Sequence, residues 1–224
     1  MANDDAEVEW RDGRVPVSKR FDDPYFSLDD GLAETRHVFL DGNDLPARFH
    51  PDFTIAELGV GTGLNMLAAR ALWRESGQNG MLHYVGFEAF PMGADDIRRA
   101  LSAFPEISDG AGLVARALTE APAKVASDGF TATILIGDAA QTLPGWTGKA
   151  DAWFLDGFAP ARNPGLWTPE LMCEVARHTR PGGTAATYSA AGGVRRALAE
   201  AGFDVERRPG FGRKRHMTIA RMPG

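Results

Sequence analysis

From residue 52 onward, this chain of 224 residues predicts an α/β fold of the Rossmann-like kind, a mostly parallel seven-stranded sheet with an antiparallel last strand. Three observations predict it. Short apolar runs alternate with helical stretches, the pattern of a parallel sheet covered by helices on both faces. A strand-like run, Asp52-Phe-Thr-Ile-Ala56, breaks into Glu57-Leu-Gly-Val-Gly-Thr-Gly-Leu-Asn65 and passes straight into a helix. The last two apolar runs are joined by a short turn, so they pair antiparallel.

Taken in order, the strand at 54–58 leads through the glycines to a helix at 64–75. A strand at 82–88 precedes a helix at 92–103, and a helical insert follows near 113–127. Strands at 131–136 and 151–155 each run up to an acid, Asp138 and Asp156. A helix at 168–179 stops at Pro181-Gly182-Gly183, a helix end followed by a turn. A strand at 184–188, a helix at 192–201 and strands at 203–208 and 215–221 complete the domain, taken as 51–224. Residues 1–50 are polar and punctuated by Pro16, Pro24, Gly31, Gly42 and Pro46. They read as an extension lying over the domain, with Ser27 capping a short helix through Arg36.

Composition bounds the function. With 44% hydrophobic and 24% charged residues, the chain can bury one sizeable core. A net charge of −6 excludes a general polyanion binder, so any nucleic-acid contact needs a local basic patch. A single cysteine, Cys173, rules out an internal disulfide and reads as a buried small hydrophobe in a helix. The first residues are acidic and lack the apolar run of a signal peptide, and no stretch reaches a membrane-spanning length. A cytoplasmic protein is expected, with no metal centre.

Glycine is needed where the backbone turns sharply and a ligand comes close without a Cβ in the way. The dinucleotide fingerprint G-x-G-x-x-G wants its third glycine where Leu64 stands. Here Gly59, Gly61 and Gly63 follow G-x-G-x-G, with Glu57 two residues ahead and Asn65 two behind. That spacing suits S-adenosylmethionine, which has no phosphate and carries an ammonium and a sulfonium. An acid beside the turn attracts a cation and repels pyrophosphate.

Acids close several strands, where an open α/β sheet binds its ligands. Glu57, Glu88, Asp138 and Asp156 stand in register at these ends. Glu88 falls 25 residues past Gly63, where a carboxylate can accept both ribose hydroxyls. Asp138 is placed to accept from an adenine amino group. The alternative is that such acids are solvated caps.

Asp156 opens a rigid loop, Asp-Gly-Phe-Ala-Pro-Ala-Arg-Asn-Pro-Gly-Leu-Trp (156–167). Phe158 and Trp167 could stack on a planar substrate, Asn163 could hydrogen-bond it and Arg162 could face a phosphate. A structural loop with its aromatics packed inward is the other reading. Trp153, inside the strand, belongs to the core. Near the C-terminus, Arg207-Arg208-Pro-Gly-Phe-Gly-Arg-Lys-Arg215 carries five cations in nine residues. As a turn in an acidic molecule it reads as a phosphate contact through Arg213, Lys214 and Arg215, extended by Arg195 and Arg196, against the alternative of solvated surface.

Five blocks then point the same way: 26–36, 57–65, Trp-Phe-Leu-Asp-Gly-Phe-Ala-Pro-Ala-Arg-Asn-Pro (153–164), Arg-Pro-Gly-Gly-Thr (180–184) and Gly-Phe-Gly-Arg-Lys-Arg (210–215). Together they resemble the methyltransferase module of the bacterial MnmC/MnmD tRNA-modifying enzymes, from about residue 20 to 217. The resemblance implies a class I S-adenosylmethionine-dependent methyltransferase. It implies transfer of a methyl group to the primary amine of 5-aminomethyl-(2-thio)uridine at the wobble position of tRNA, within the anticodon loop. In many bacteria this module is fused to a flavin-dependent (FAD) oxidase that acts in the preceding step. No second dinucleotide turn follows residue 217, so this chain is expected to lack that activity, whether it is a stand-alone form or one domain of a longer product.

The transfer needs a neutral amine, and alkyl amines are mostly protonated near neutral pH. Asp156 is the candidate to orient the amine and take its proton, although an ionised carboxylate also favours the ammonium form. Rival readings are a nicotinamide-dependent oxidoreductase, a small-molecule methyltransferase on the same fold and a tRNA-binding module without activity. Leu64 disfavours the first, the basic turn the second and the intact glycine motif the third.

Overall fold

The computed structural model describes residues 5–27, 30–120 and 124–224. It opens with a small antiparallel sheet of β1 (Val8–Arg11), β2 (Val15–Ser18) and β3 (Asp23–Pro24). The extension thus has a sheet of its own that the polar sequence did not suggest. Asp12 and Gly13, at φ 49° and 69°, make the tight turn between its first strands. The following helix, α1 (Gly31–Thr35), is capped by Asp30 and not by Ser27, since the Asp30 carboxylate accepts from the Ala33 N–H at 2.9 Å. The chain then winds through a wide turn (Arg36–Leu40) and a tight one (Asp41–Asn43).

The central sheet combines β4 (Phe53–Leu58), β5 (Leu82–Glu88), β6 (Lys124–Ser127), β7 (Phe130–Ile136), β8 (Ala150–Leu155), β9 (Thr179–Thr187), β10 (Asp204–Pro209) and β11 (His216–Arg221). Their order is β10-β11-β9-β8-β4-β5-β7-β6. β9, β8, β4, β5 and β7 run parallel, while β11 and β6 pair antiparallel with their neighbours. The sheet is therefore the expected one with an eighth strand added at the β7 edge. The helical insert near 113–127 divides into α4 (Ala111–Thr119) and β6, because Asp128-Gly129 turns the chain back on itself. Asp-Gly between two β-capable runs is a strong local hairpin signal.

Helices α2 (Leu64–Ser76), α3 (Ala94–Leu101) and α4 cover one face with α1. The other face is covered by α5 (Ala139–Thr142), α6 (Pro169–Arg177) and α7 (Gly192–Glu200). Every residue of β4 and β8 is buried, as central strands covered on both sides must be. Trp153 is fully buried, as its place in the strand predicts. Cys173 is not buried: it lies on the solvent side of α6, whose apolar positions Leu171, Met172 and Val175 face the sheet. Pro181-Gly-Gly183 ends no helix. α6 stops at Arg177, and these residues form an irregularity inside β9, whose register against β8 shifts between Ala150 and Ala152.

Buried hydrogen bonds tie the N-terminal segment to the sheet. The amide of Asn43 donates to the carbonyls of Phe39 at 2.9 Å and Trp153 at 3.3 Å, and its oxygen accepts from the Thr184 hydroxyl at 2.6 Å. Arg48 donates to the Thr184 hydroxyl and, at 3.0 Å, to the Asp151 carbonyl. The strand order reverses at β4, flanked by β5 on one side and β8 on the other. That reversal, at the carboxyl ends of the strands, is where this fold opens a crevice.

Candidate active site

β4 and β8 pair in register to Leu58 and Leu155, so the residues that follow them lie side by side. The Asp156 N–H donates to the Leu58 carbonyl at 3.2 Å. The glycine turn wraps this junction with φ 75° at Gly59, 54° at Gly61 and 75° at Gly63. Two of these glycines are needed for close approach. A Cβ on Gly59 would stand 2.9 Å from the Cα of Gly157, and one on Gly63 would collide with Val114 of α4. Gly63 thus packs helix on helix and does not line the crevice.

A cleft of about 1270 Å³ opens above the turn. Gly59, Gly61, Asn65, Glu88, Asp138 and Asp156 line it, so the strand-end acids do converge, with one exception. Glu57 is completely buried beneath the turn and does not face the cleft. Its carboxylate accepts from Asn65 Nδ2 and from the Tyr84 hydroxyl, both at 2.7 Å. Its acidity is spent on structure instead of on direct ligand contact. Burial pushes its pKa well up, and the neighbouring Asp156 charge adds to the shift.

Asn65 joins the two carboxylates. Its amide nitrogen also donates to Asp156 Oδ2 at 2.7 Å, and its oxygen accepts from the Thr35 hydroxyl at 2.7 Å. The remaining Asp156 oxygen accepts from the Gly157 N–H at 2.8 Å. The carboxylate is thereby held in one orientation at the cleft wall. Burial raises its pKa from 3.8 to about 7, against the lowering effect of the Gly157 and Asn65 hydrogen bonds and the Lys214 charge. Glu88, at the end of β5, accepts from the Gly61 N–H and the Phe90 N–H, both at 2.8 Å, and burial raises its pKa too. Asp138 is exposed, caps α5 through the Ala140 N–H at 2.9 Å and still borders the cleft.

The 156–167 loop is fastened to the N-terminal sheet. Asp23 accepts from the Ala159 N–H at 2.9 Å, and Asp22 pairs with Arg162 at 2.9 Å. The Phe158 ring stacks on Phe21 with centroids 4.7 Å apart and meets Tyr25 edge-on at 5.0 Å. Trp167 does not offer a stacking face. It is buried, and its indole N–H donates to the Phe158 carbonyl at 3.0 Å. The inward-packed alternative therefore holds for Trp167, and Arg162 is engaged by Asp22. Asn163 remains at the cleft wall.

In the turn between β10 and β11, Arg213, Lys214 and Arg215 are all exposed. Lys214 bends back, its Nζ 2.7 Å from Glu34 Oε1 and 4.2 Å from the centre of the Tyr188 ring. The Tyr188 hydroxyl donates to the Gly157 carbonyl at 2.8 Å. Arg195 and Arg196 lie on α7 and do not line the cleft.

Phe21, Tyr25, Glu34, Tyr84 and Tyr188 were not singled out by sequence, yet each touches this assembly. Glu34 lay within the 26–36 block, the one local signal available for it. The others meet the 156–167 loop or the buried carboxylates from positions far away in sequence. Charge decides which cofactor the cleft fits. The Gly61 N–H, which would serve a pyrophosphate, is occupied by Glu88, and further carboxylates line the walls. Such a set of acceptors suits a ligand that brings cationic groups and hydroxyls.

A glycine turn at the switch point of this sheet and an acid-walled cleft above it define a Rossmann-like methyltransferase that uses S-adenosylmethionine. A family described as "S-adenosyl-L-methionine-dependent methyltransferase" matches residues 111–223, and the chain belongs to it. It is 46% identical over 228 residues to the tRNA 5-methylaminomethyl-2-thiouridine biosynthesis bifunctional protein MnmC of Caulobacter sp. (strain K31), covering 96% of this chain and 38% of that protein. It is 45% identical to the protein of the same name from Stutzerimonas stutzeri (strain A1501), covering 95% of this chain and 34% of that one. The chain therefore spans well under half the length of these curated relatives. Among solved structures, MNMC2 from Aquifex aeolicus superposes with a TM-score of 0.75 at 25% identity, over 99% of this chain and 73% of that one.

Proposed function

We propose that this chain moves a methyl group from S-adenosylmethionine to the primary amine of 5-aminomethyl-(2-thio)uridine at the wobble position of tRNA, giving the 5-methylaminomethyl product. One observation carries the reading: an oriented carboxylate, Asp156, and a basic turn bearing Lys214 border the same cleft. The names of the relatives that align over nearly the whole chain support the same substrate.

Within the cleft we assign Glu88 to the ribose hydroxyls, Asp138 to the adenine amino group and the Gly59–Gly61 backbone to close approach. When bound, S-adenosylmethionine supplies an electrophilic methyl group on a cationic sulfur. The remaining work falls to this chain. Asp156 hydrogen-bonds the amine, holds its lone pair in line and accepts its proton. A carboxylate with a pKa of about 7 is matched to that task near neutral pH, because the best general base titrates near the working pH. Asn65 keeps the carboxylate from turning away. Holding the amine in line reduces the barrier further through orientation.

The target base lies in a loop, so bringing it out costs less than opening a duplex. Phe158 and Asn163 remain the candidates to meet it, and Arg213 and Arg215 the candidates for its phosphates. Residues 1–50 act in this reading as an extension that walls the cleft of the 51–224 domain. The oxidation that yields the amine is assigned to an FAD-dependent oxidase, acting as a separate partner or a further domain. No helix among the described residues is long and apolar enough to cross a membrane. A tRNA substrate supports a cytoplasmic location. The test is mass analysis of wobble nucleosides after incubating the protein and S-adenosylmethionine with tRNA from cells lacking this step. A gain of one methyl on the aminomethyl nucleoside is expected, and its absence overturns the reading.

A further inference from the structure

Lys214 is the cation in the basic turn that points inward. Its ammonium meets Glu34 of α1 at 2.7 Å and lies over the Tyr188 ring, while Arg213 and Arg215 pair with no acid among the described residues. Glu34 and Lys214 both line the cleft that holds Asp156. Their side chains are unequally exposed, 12% for Glu34 and 46% for Lys214. The lysine can therefore be reached from solvent, whereas the carboxylate is largely enclosed and needs a cation in place.

We propose, resting on the tRNA-methyltransferase reading, that the Glu34–Lys214 ion pair is a latch exchanged for the substrate: an RNA phosphate takes Lys214, and the freed Glu34 carboxylate receives the protonated aminomethyl group. The charges balance one for one. The cleft gives up one internal pair and gains two across the interface, with a ligand that brings one anion and one cation. A half-exposed pair contributes little net stability, so a phosphate competes for Lys214 at small cost. An enclosed carboxylate left bare is costly. A uridine without the aminomethyl group supplies the phosphate but strands Glu34. The latch thus selects for an amine on the base, at a residue separate from the one that accepts its proton. Glu34 acts here as a specificity-determining residue that touches substrate on entry.

The experiment compares tRNA carrying 5-aminomethyl-(2-thio)uridine with the same tRNA carrying unmodified uridine, using the full chain with S-adenosylmethionine or its demethylated product. Wild type is expected to bind the aminomethyl tRNA at least tenfold more tightly. Glu34→Gln, which keeps size but not charge, is expected to erase that preference. It should raise KM for the aminomethyl tRNA about tenfold or more with kcat within about threefold, and leave binding of the unmodified tRNA unchanged or tighter, because Lys214 is released. Glu34→Asp, which keeps the charge on a shorter arm, should restore part of the preference and serves if the Gln variant folds poorly. Equal weakening toward both tRNAs, or a fall in kcat at unchanged KM, overturns the latch. If wild type transfers no methyl group to the aminomethyl tRNA, the functional reading itself fails and the latch falls with it. A wild type that is active without any preference sinks the latch alone.

Discussion

The floor and the roof of the cleft are built in opposite ways. The floor is the β4–α2 turn with its network, Tyr84–Glu57–Asn65–Asp156, in which short hydrogen bonds seal the Glu57 carboxylate beneath the turn and fix that of Asp156 at the cleft wall. The roof is the contact of the N-terminal sheet with the 156–167 loop and of the β10–β11 turn with α1, held by exposed or half-exposed ion pairs and by ring stacking. Buried, partnered groups are costly to disturb, whereas exposed pairs contribute at most about 1 kcal/mol each. The floor is suited to hold reacting groups still, and the roof to exchange contacts with a large substrate.

The largest effect is expected in the floor. Asp156→Asn should lower turnover by about 10²–10⁴-fold, the range for a general base, while cofactor affinity by calorimetry moves little. Turnover near wild type would remove Asp156 from the chemistry. Asn65→Leu comes next. It leaves Asp156 and Glu57 without their shared donor, and a loss of roughly 1–3 kcal/mol in stability by denaturant unfolding is expected, with turnover falling as well. A variant as stable as wild type would show that the network is not what holds the floor.

The roof should respond through binding. Replacing Arg213 and Arg215 by alanine should weaken tRNA binding and flatten the logarithmic salt dependence by roughly 1.4–1.8, as expected for two lost phosphate contacts. An unchanged slope takes this turn out of the interface. Phe21→Ala, which unstacks Phe158, should raise KM several-fold with kcat nearly intact; an equal fall in kcat would move the roof into the chemistry.

The smallest effect is the pH dependence of stability. Because the folded-state pKa of Asp156 is raised from 3.8 to about 7, the folded chain binds this proton more readily than the unfolded one. The associated stability is present below about pH 4 and is lost as pH rises through about 7. Asp156→Asn cannot ionise, so its Tm should exceed that of wild type at pH 8 and match it more closely at pH 5. The opposite order would mean that the carboxylate is better solvated than its burial indicates.

Much of the floor was legible in the sequence because it is local. Glu57 to Asn65 is a single turn, and strand alternation places Glu88 and Asp156 beside it at the switch point. Even there, sequence could not separate a residue that faces the cleft from one sealed below it. Glu57 is buried because Asn65 and Tyr84 satisfy its oxygens, and Tyr84 comes from the neighbouring strand. The roof was hardly legible. Trp167 read as a stacking ring but is buried in the core, and Arg162 forms an exposed ion pair with Asp22 that no local signal announced. The β6 hairpin, by contrast, was written in Asp128-Gly129 and was hidden inside an apparent helical run.

The sequence by itself determined the parallel sheet, the position of the glycine turn and the set of acids at the strand ends. These follow from periodicity and from the conformational freedom of glycine, which act over a few residues. Only the tertiary structure decided which acid is exposed, which cation turns inward to Glu34 and which ring is buried. Burial and ion pairing depend on segments that lie far apart in the chain and meet only in three dimensions.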